Sequence, residues 1–577
     1  MTSSARTYDK RPSIAAGSGA DCAVGWADIA ARIRGDRARV IAIETYPGVR
    51  TDDLHALAHE LHCDELIDVS RALFPADEIS HITYESVGDD PVFGHMSARR
   101  LESLIDAVTL SELRAQVERA QGSVVVFGIG ASLVAPEAPV VYCDLPRWEA
   151  TQRLRSGGAN LGLDNGDDHY GAKYKRAYFV DWRVADLHKR SLWPRMKWIV
   201  DTTDSTTPKL VTAESVFAAL HTAATRPFRV VPYFDPAPWG GEWMQDVCDV
   251  GREQPNLGWC FDCVPEENSL LLRYGSVDVE IPSIDLVFRE PRALLGETVH
   301  GMFGAEFPIR TDFLDTIGGG NLSLQVHPQI DYMREHFGMQ YTQDESYYIL
   351  DARDGAAVHL GVRDDVDRDA MVDDLVRAQH EGIRFPHERH INILPARKHD
   401  HFLIPAGTLH GSAAGTMVLE ISATPYIFTF KVYDWNRPGL DGRPRPIHLD
   451  HGLANLAWER NTARYAQERL VNRVWEVGTG DGWVEERTGL HEAEFIETRR
   501  HWFTAAVPHH DSGRFSVLNL VEGDSAIVES PDAQFEPFVV NYAETFIVPA
   551  AAGAFTVRPG RPGARCATIK AYVRCSP

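Results

Sequence analysis

The sequence predicts a multidomain protein of α/β and β class: a doubly wound parallel sheet first, then two β-barrels in tandem. Three observations predict it. Apolar strands alternate with helical segments over the first third of the chain, the pattern of a parallel sheet. From about residue 226 short β-rich runs broken by Gly and Pro replace them, the pattern of a barrel or sandwich. Two late stretches, "HFLIPAGTLHGSAAGTMVLEIS" and "TFIVPAAAGAFTVRPG", share one plan of apolar strand, Pro-Ala turn and second strand. A length of 577 residues exceeds what one core can organise.

Residues 1–28 open with "MTSSARTYDKRPSIAAGSGADC", polar and without an apolar signal core, and are expected to be flexible. Residues 29–225 form the α/β domain. Its strands are "RVIAIE" (39–44), "SVVVFGIGASLV" (123–134) and "APVVYCDLPR" (138–147), with helical patterns such as "TDDLHALAHELH" between them. Residues 226–475 form the first barrel, with runs such as "SLLLRYGSVDVEIPSIDLVF", "AVHLGV" and "TMVLEISA"; a helical insertion, "RDAMVDDLVRAQHEG", interrupts it at about 365–385. Residues 476–577 form the second barrel. Its Pro-Ala turn has no His, so it is expected to be metal-free and structural.

Composition excludes some functions. A net charge of −24 argues against a general nucleic-acid or membrane-surface binder, although a local basic pocket could still take an anionic sugar. No stretch is long and apolar enough to span a bilayer. Of eight Cys, only Cys260 and Cys263 have CxxC spacing, and no second pair completes a zinc knuckle. Free thiols in a reduced, cytoplasmic protein are the expectation.

The chemistry concentrates in three segments of the first barrel. In "LSLQVHP", Ser323, Gln325 and His327 alternate with Leu322, Leu324 and Val326. Alternate residues of a strand share a face, so the polar three project together. Glu345 begins the strand "ESYYIL", and His410 follows the turn in "IPAGTLHG". A single strand His is ordinarily a hydrogen-bonded core residue. Imidazole, carboxylate and amide together suit a borderline divalent ion such as zinc, with a position left for water or substrate.

These residues carry a resemblance. Pro405, Gly407 and His410 make the "PxGxxH" signature of cupin barrels, and Gln-x-His replaces the usual His-x-His of the first signature. With "LSLQVHPQ", "QDESYYIL", "PYFDPAPWGGEWM" and "FKVYDWNRPGLDGRPRPIHLD", residues 230–577 resemble class I mannose-6-phosphate isomerases. The resemblance implies tandem cupin barrels in which Gln325, His327, Glu345 and His410 hold one Zn2+, with Ser323 beside the sugar. It implies substrate contacts from Gln343 and Lys431, a catalytic role for Lys431, and aldose–ketose isomerisation of a hexose or hexose phosphate through an enediolate. An iron oxygenase would want a third His where Gln325 stands. The chain departs from the family at Gln343, where the family has Lys, at Lys431, where it has Arg, and at Gln329, where it has Asp. Two readings follow: an isomerase with an altered substrate, or a metal-dependent sugar-binding regulator without turnover.

The N-terminal domain resembles the P-loop fold of nucleoside and uridine kinases. Aligned on Thr51, however, its loop has Glu44 for the first Gly, Val49 for the second and Arg50 for the Lys of GxxxxGK[ST]. A carboxylate there repels phosphate, so the resemblance implies a degenerate kinase-like scaffold. Arg183, His188 and Lys189 are read as a solvated face, and His399 and His401 as surface residues.

Overall fold

The computed structural model describes residues 8–423, 428–489 and 491–574. The chain divides into two units, one of residues 13–222 and 269–289, the other of 1–12, 223–268 and 290–577.

The first unit is built on a seven-stranded sheet in the order Ala23–Val24, Lys209–Thr212, Met196–Asp201, Val140–Asp144, Val40–Thr45, Val124–Phe127, Glu65–Asp68. The last five run parallel, and Lys209–Thr212 and Ala23–Val24 add antiparallel edges. The earliest parallel strand lies between the third and fourth, which makes the sheet doubly wound. Val124–Phe127 and Val140–Asp144 are buried at every residue, because strands covered on both faces cannot alternate with polar residues.

Two expectations fail here. Residues 1–7 of the expected flexible terminus lie outside the described residues, but residues 8–28 are structured. Tyr8 is buried, Ser13–Gly17 is a strand, and Trp26–Arg34 is a helix whose Ile29, Ala30 and Ile33 enter the core. The hairpin of Ser269–Tyr274 and Val277–Pro282, expected in the barrel, belongs to the α/β unit, where Ser13–Gly17 pairs parallel to Ser269–Tyr274. Period-2 alternation identifies a strand but does not say which sheet takes it.

The second unit contains two antiparallel two-sheet structures. In the first, a six-stranded sheet runs His401–Ile404, Glu345–Ala352, Thr416–Ser422, Arg310–Asp315, Trp259–Cys263, Tyr233–Asp235. It faces a five-stranded sheet of Ile391–Pro395, Ala357–Val362, His410–Ser412, Leu324–Val326 and Phe430–Tyr433. Leu314, Tyr347, Ile349 and Val418 of one sheet pack on Val358 and Leu360 of the other. The helical insertion is Arg368–Glu381, capped by Asp367, whose carboxylate accepts from Ala370 N at 3.1 Å. Met371, Leu375 and Ala378 fall on one helical face and cover Leu324, Val326 and Val432. The later pair of sheets has six and four strands around a core that includes Phe503, Leu518, Val528, Phe546 and Val557. The seven described cysteines are free thiols, Cys260 and Cys263 buried among them, and no described helix is long and apolar enough to cross a membrane.

Candidate metal centre

The strand Leu324–Val326 sorts its side chains by parity. Leu324 and Val326 face the insertion helix, which leaves Gln325, and His327 beyond it, to the barrel interior. Gln325 pairs with His410 on one side and Lys431 on the other, so all three share that face. Glu345 arrives from the opposing sheet, at the start of Glu345–Ala352.

The side chains converge. Glu345 Oε2 lies 3.0 Å from His327 Nε2, and Glu345 Oε1 lies 2.9 Å from His410 Nε2. The imidazoles are 4.8 Å apart between centroids. All three residues are at most 1% exposed, and among the described residues they form the one group of three or more His, Cys, Asp or Glu whose ligand atoms converge, all within 4.8 Å.

The tautomers follow from the outer partners. His327 Nδ1 faces Phe428 O at 2.8 Å and His410 Nδ1 faces Thr408 O at 2.9 Å. A carbonyl only accepts, so each Nδ1 carries a hydrogen, and each ring directs its Nε2 at Glu345. His327 Nε2 and Glu345 Oε1 are buried without a hydrogen bond. Two lone pairs facing a carboxylate in a dry interior repel unless a cation or protons lie between them. The donor set therefore fits a divalent ion. Burial alone would raise the Glu345 pKa, but His327 and His410 outweigh it and hold the carboxyl below its ordinary range. Burial lowers His410 despite the opposing pull of Glu345.

The remaining sequence-predicted residues divide. Ser323 Oγ donates to Gln325 Oε1 at 3.0 Å, while Gln325 Nε2 lies 3.1 Å from His410 Nε2. The amide thus turns its nitrogen, not its oxygen, toward the histidine. Gln343 is 2% exposed and bonded at both ends: Nε2 donates to Glu345 Oε2 at 3.1 Å and Oε1 accepts from Phe428 N at 3.0 Å. Lys431 stands beside Gln325, half-buried, and its ammonium has no hydrogen-bond or ion-pair partner among the described residues. Burial, then the neighbouring Arg445, pushes it down to about 8.

Sequence reasoning missed the acidic floor of the site. Glu345 is in register with Ser422 and Arg310, and two residues on, Tyr347 with Glu420 and Asp312, so these side chains share the interior face. Arg310 Nε donates to Asp312 Oδ1 at 3.0 Å. Burial, reinforced by Asp312 and Glu345, raises the Glu420 carboxyl well above its ordinary range. The available signal was a lone Glu inside the apolar run "TMVLEIS".

His399 and His401 are not free surface residues. His401 is fully buried, and His399 meets Tyr348 Oη at 2.8 Å and Glu522 Oε2 at 3.2 Å. The solvated face expected at 183–189 is also wrong in part. His188 and Lys189 are buried; Arg183 bonds Tyr178 O at 3.1 Å. Lys189 Nζ lies 2.5 Å from Asp144 and 2.6 Å from Asp285. Glu44, at the position of the missing first P-loop Gly, accepts from Gly130 N at 2.9 Å and Ser132 N at 2.7 Å and faces His188 Nε2 at 3.1 Å.

Residues 25–225 match a family described only as a domain of unknown function, DUF8485. The chain is similar to "Probable mannose-6-phosphate isomerase GmuF" of Bacillus subtilis (strain 168), 26% identical over 334 residues, which are 58% of this chain and 96% of that protein. It is also similar to mannose-6-phosphate isomerase ManA of the same organism, 24% identical over 311 residues, covering 53% of this chain and 88% of ManA. Among solved structures, the mannose 6-phosphate isomerase from Bacillus subtilis superposes with a TM-score of 0.48 at 21% identity, over 60% of this chain and all of that one.

Proposed function

We propose that the chain is a metal-dependent aldose–ketose isomerase of the mannose-6-phosphate isomerase type, with a cupin barrel as its catalytic domain. The observation that carries this reading is the convergence of His327 Nε2 and His410 Nε2 on the Glu345 carboxylate in a dry interior. The names of the curated relatives support the reaction class.

His327, Glu345 and His410 would hold Zn2+, with Gln325 joining them once its amide makes a half-turn. The two ends of an amide are nearly equal in shape, so the turn costs little. The ion would supply Lewis acidity to the sugar's carbonyl and hydroxyl oxygens. Gln343 positions Glu345 rather than touching sugar, since both its polar ends are engaged. Lys431 is the unengaged cation on the same face as Gln325, suited to the oxyanion that develops as a proton moves between C1 and C2. Ser323 fixes the Gln325 amide and stands beside the substrate. For the α/β unit we propose a P-loop-kinase-like scaffold without phosphate chemistry, because Glu44, Val49 and Arg50 stand where the loop would need Gly, Gly and Lys.

The test is metal analysis of protein purified without added metal, with an isomerase screen over mannose 6-phosphate and free hexoses, repeated on His410→Ala. About one zinc per chain and ketose formation, both lost in the variant, are expected. Metal or turnover retained by the variant would overturn the site; tight sugar binding without turnover of any sugar would favour a regulator.

A further inference from the structure

The Lys431 ammonium has no ion-pair partner among the described residues, although a carboxylate, Asp434, stands three residues further on. The two are within electrostatic reach. Burial and then Arg445 weigh against the charged ammonium, Asp434 favours it, and Arg437 opposes it again. A carboxylate so placed is the natural partner of a half-buried Lys, and its failure to pair needs a cause.

The cause is that both oxygens of Asp434 are taken. Arg437 Nη2 donates to Oδ1 at 2.6 Å, and Arg445 Nη1 lies 2.5 Å from Oδ2. The Asp434 side chain is 4% exposed, that of Arg437 16% and that of Arg445 21%. Water screens pairs this sheltered less than it screens pairs on an open surface, so the two guanidinium groups hold Asp434 against the competing ammonium.

Two pieces of backbone deliver the arginines. Asp434–Arg437 is a tight turn, closed by Arg437 N donating to Asp434 O at 3.2 Å. Its central residues, Trp435 and Asn436, have φ of 57° and 52°, the mirror image of a common turn. Asn tolerates that region, but a bulky Trp there is strained. The turn is pinned on both sides: Trp435 Nε1 donates to Leu322 O at 2.8 Å, and Asn436 Nδ2 to Gly382 O at 3.0 Å and Ile383 O at 2.9 Å. Leu322 directly precedes Ser323, so the turn is tied to the strand that carries the site. Arg445 arrives on the returning segment, where His448 N donates to Lys431 O at 2.8 Å and Lys431 N to His448 Nδ1 at 3.2 Å. Strain that persists because its surroundings hold it in place points to a functional demand on the side chains it aims.

We propose that Arg437 and Arg445 are positioning residues for the isomerisation: by occupying both oxygens of Asp434 they keep the Lys431 ammonium unpaired, on the face it shares with Gln325, for an oxyanion on the substrate. The inference rests on the assignment of Lys431 to that oxyanion. Neither arginine need touch the sugar; each acts on Lys431 through Asp434.

The experiment is a mutant cycle on the zinc-loaded full chain with mannose 6-phosphate. Arg445→Gln frees Asp434 Oδ2 to capture Lys431 and should lower kcat about tenfold or more, with zinc content unchanged and KM moved less than kcat. In a Lys431→Met background the same substitution should cost less than about twofold, because no ammonium is left to capture. Asp434→Asn added to Arg445→Gln should restore most of the lost kcat. Arg437→Gln frees the other oxygen and serves as the second variant if Arg445→Gln folds poorly. A crystal structure of the variant reads the capture directly: Lys431 Nζ should stand within about 4 Å of Asp434. An ammonium still apart from Asp434 in that structure, a native kcat in the folded variant, or an equal loss in the Lys431→Met background would each overturn the proposal. Undiminished kcat in Lys431→Met, or a native chain that does not turn over mannose 6-phosphate, would instead remove the role given to Lys431, and the crystal structure would still decide the capture.

Discussion

Stripping and restoring metal is the sharpest perturbation of the first barrel. Without a cation, two buried imidazole nitrogens face Glu345 at 2.9 and 3.0 Å, and the centre is held together by protons or loosens. A ligand that binds only the folded state stabilises it by about 2.7 kcal/mol at a hundred times its dissociation constant. For a domain of roughly 250 residues each kcal/mol moves the melting temperature by about 2–4 °C, so about 5–10 °C is expected. The assay is a melting curve of chelator-treated protein with and without added zinc, followed by a probe that isolates the first barrel's transition, since a chain of several domains need not melt in one step. His410→Ala lowers the baseline by about 2–4 kcal/mol by opening a buried cavity, and the zinc increment should then nearly vanish; Glu345→Gln should also abolish most of it. If zinc raises the melting temperature of both variants as much as that of the native chain, the ion binds elsewhere and the argument from tautomers is wrong.

Three other outcomes follow from named contacts. Lys431→Met should retain zinc, because the side chain is not among the converging ligands, yet lose about 10²–10³ in turnover if the ammonium stabilises a developing oxyanion; metal content beside kcat separates the two. Burial holds His401 down to about 3, against about 6.5 in an unfolded chain. Its contribution to stability is whole above pH 6.5 and falls as the pH drops toward 3, because the unfolded state binds the extra proton; about 2 kcal/mol is lost by pH 5. Denaturant midpoints across this range should show that slope, and His401→Leu should flatten it. Lys189→Met strands two buried carboxylates, Asp144 and Asp285, and should destabilise the α/β unit by about 3–5 kcal/mol, read from its unfolding transition; the further change Asp285→Asn should recover part of the loss.

What could be read in the sequence depended on whether its signal was local. Ser323, Gln325 and His327 are two apart, so strand parity alone puts them on one face; that His410 pairs in register with Gln325 is a long-range fact that this spacing does not carry. The insertion helix was legible for the same reason: its apolar residues recur at helical spacing and Asp367 caps it. Pairing of distant segments carries no such signal. Nothing within "SLLLRYGSVDVEIP" says that it belongs to the α/β unit, or that its partner there is a strand near residue 15. Nothing within "RPSIAAGSG" distinguishes a polar tail from a strand supplied with a neighbour.

The deeper misjudgement concerned charge. In the sequence His188, Lys189 and His401 read as surface residues because charged and titratable side chains are seldom fully buried without partners. The rule is sound; its last two words decide these cases. Lys189 is buried because Asp144 lies at the end of a parallel strand and Asp285 comes from a hairpin and helix about a hundred residues later. His188 is buried because Glu44 takes two backbone amides and keeps an edge for the imidazole. In both barrels the same logic runs inward: Glu345, Glu420 and Asp312 line one interior, and His501, Lys570 and Asp511 another. A polar residue in an apolar strand is therefore a question about its partner, and where a buried atom has none within the protein, as at Glu345 Oε1, the partner to look for is a water, an ion or a ligand.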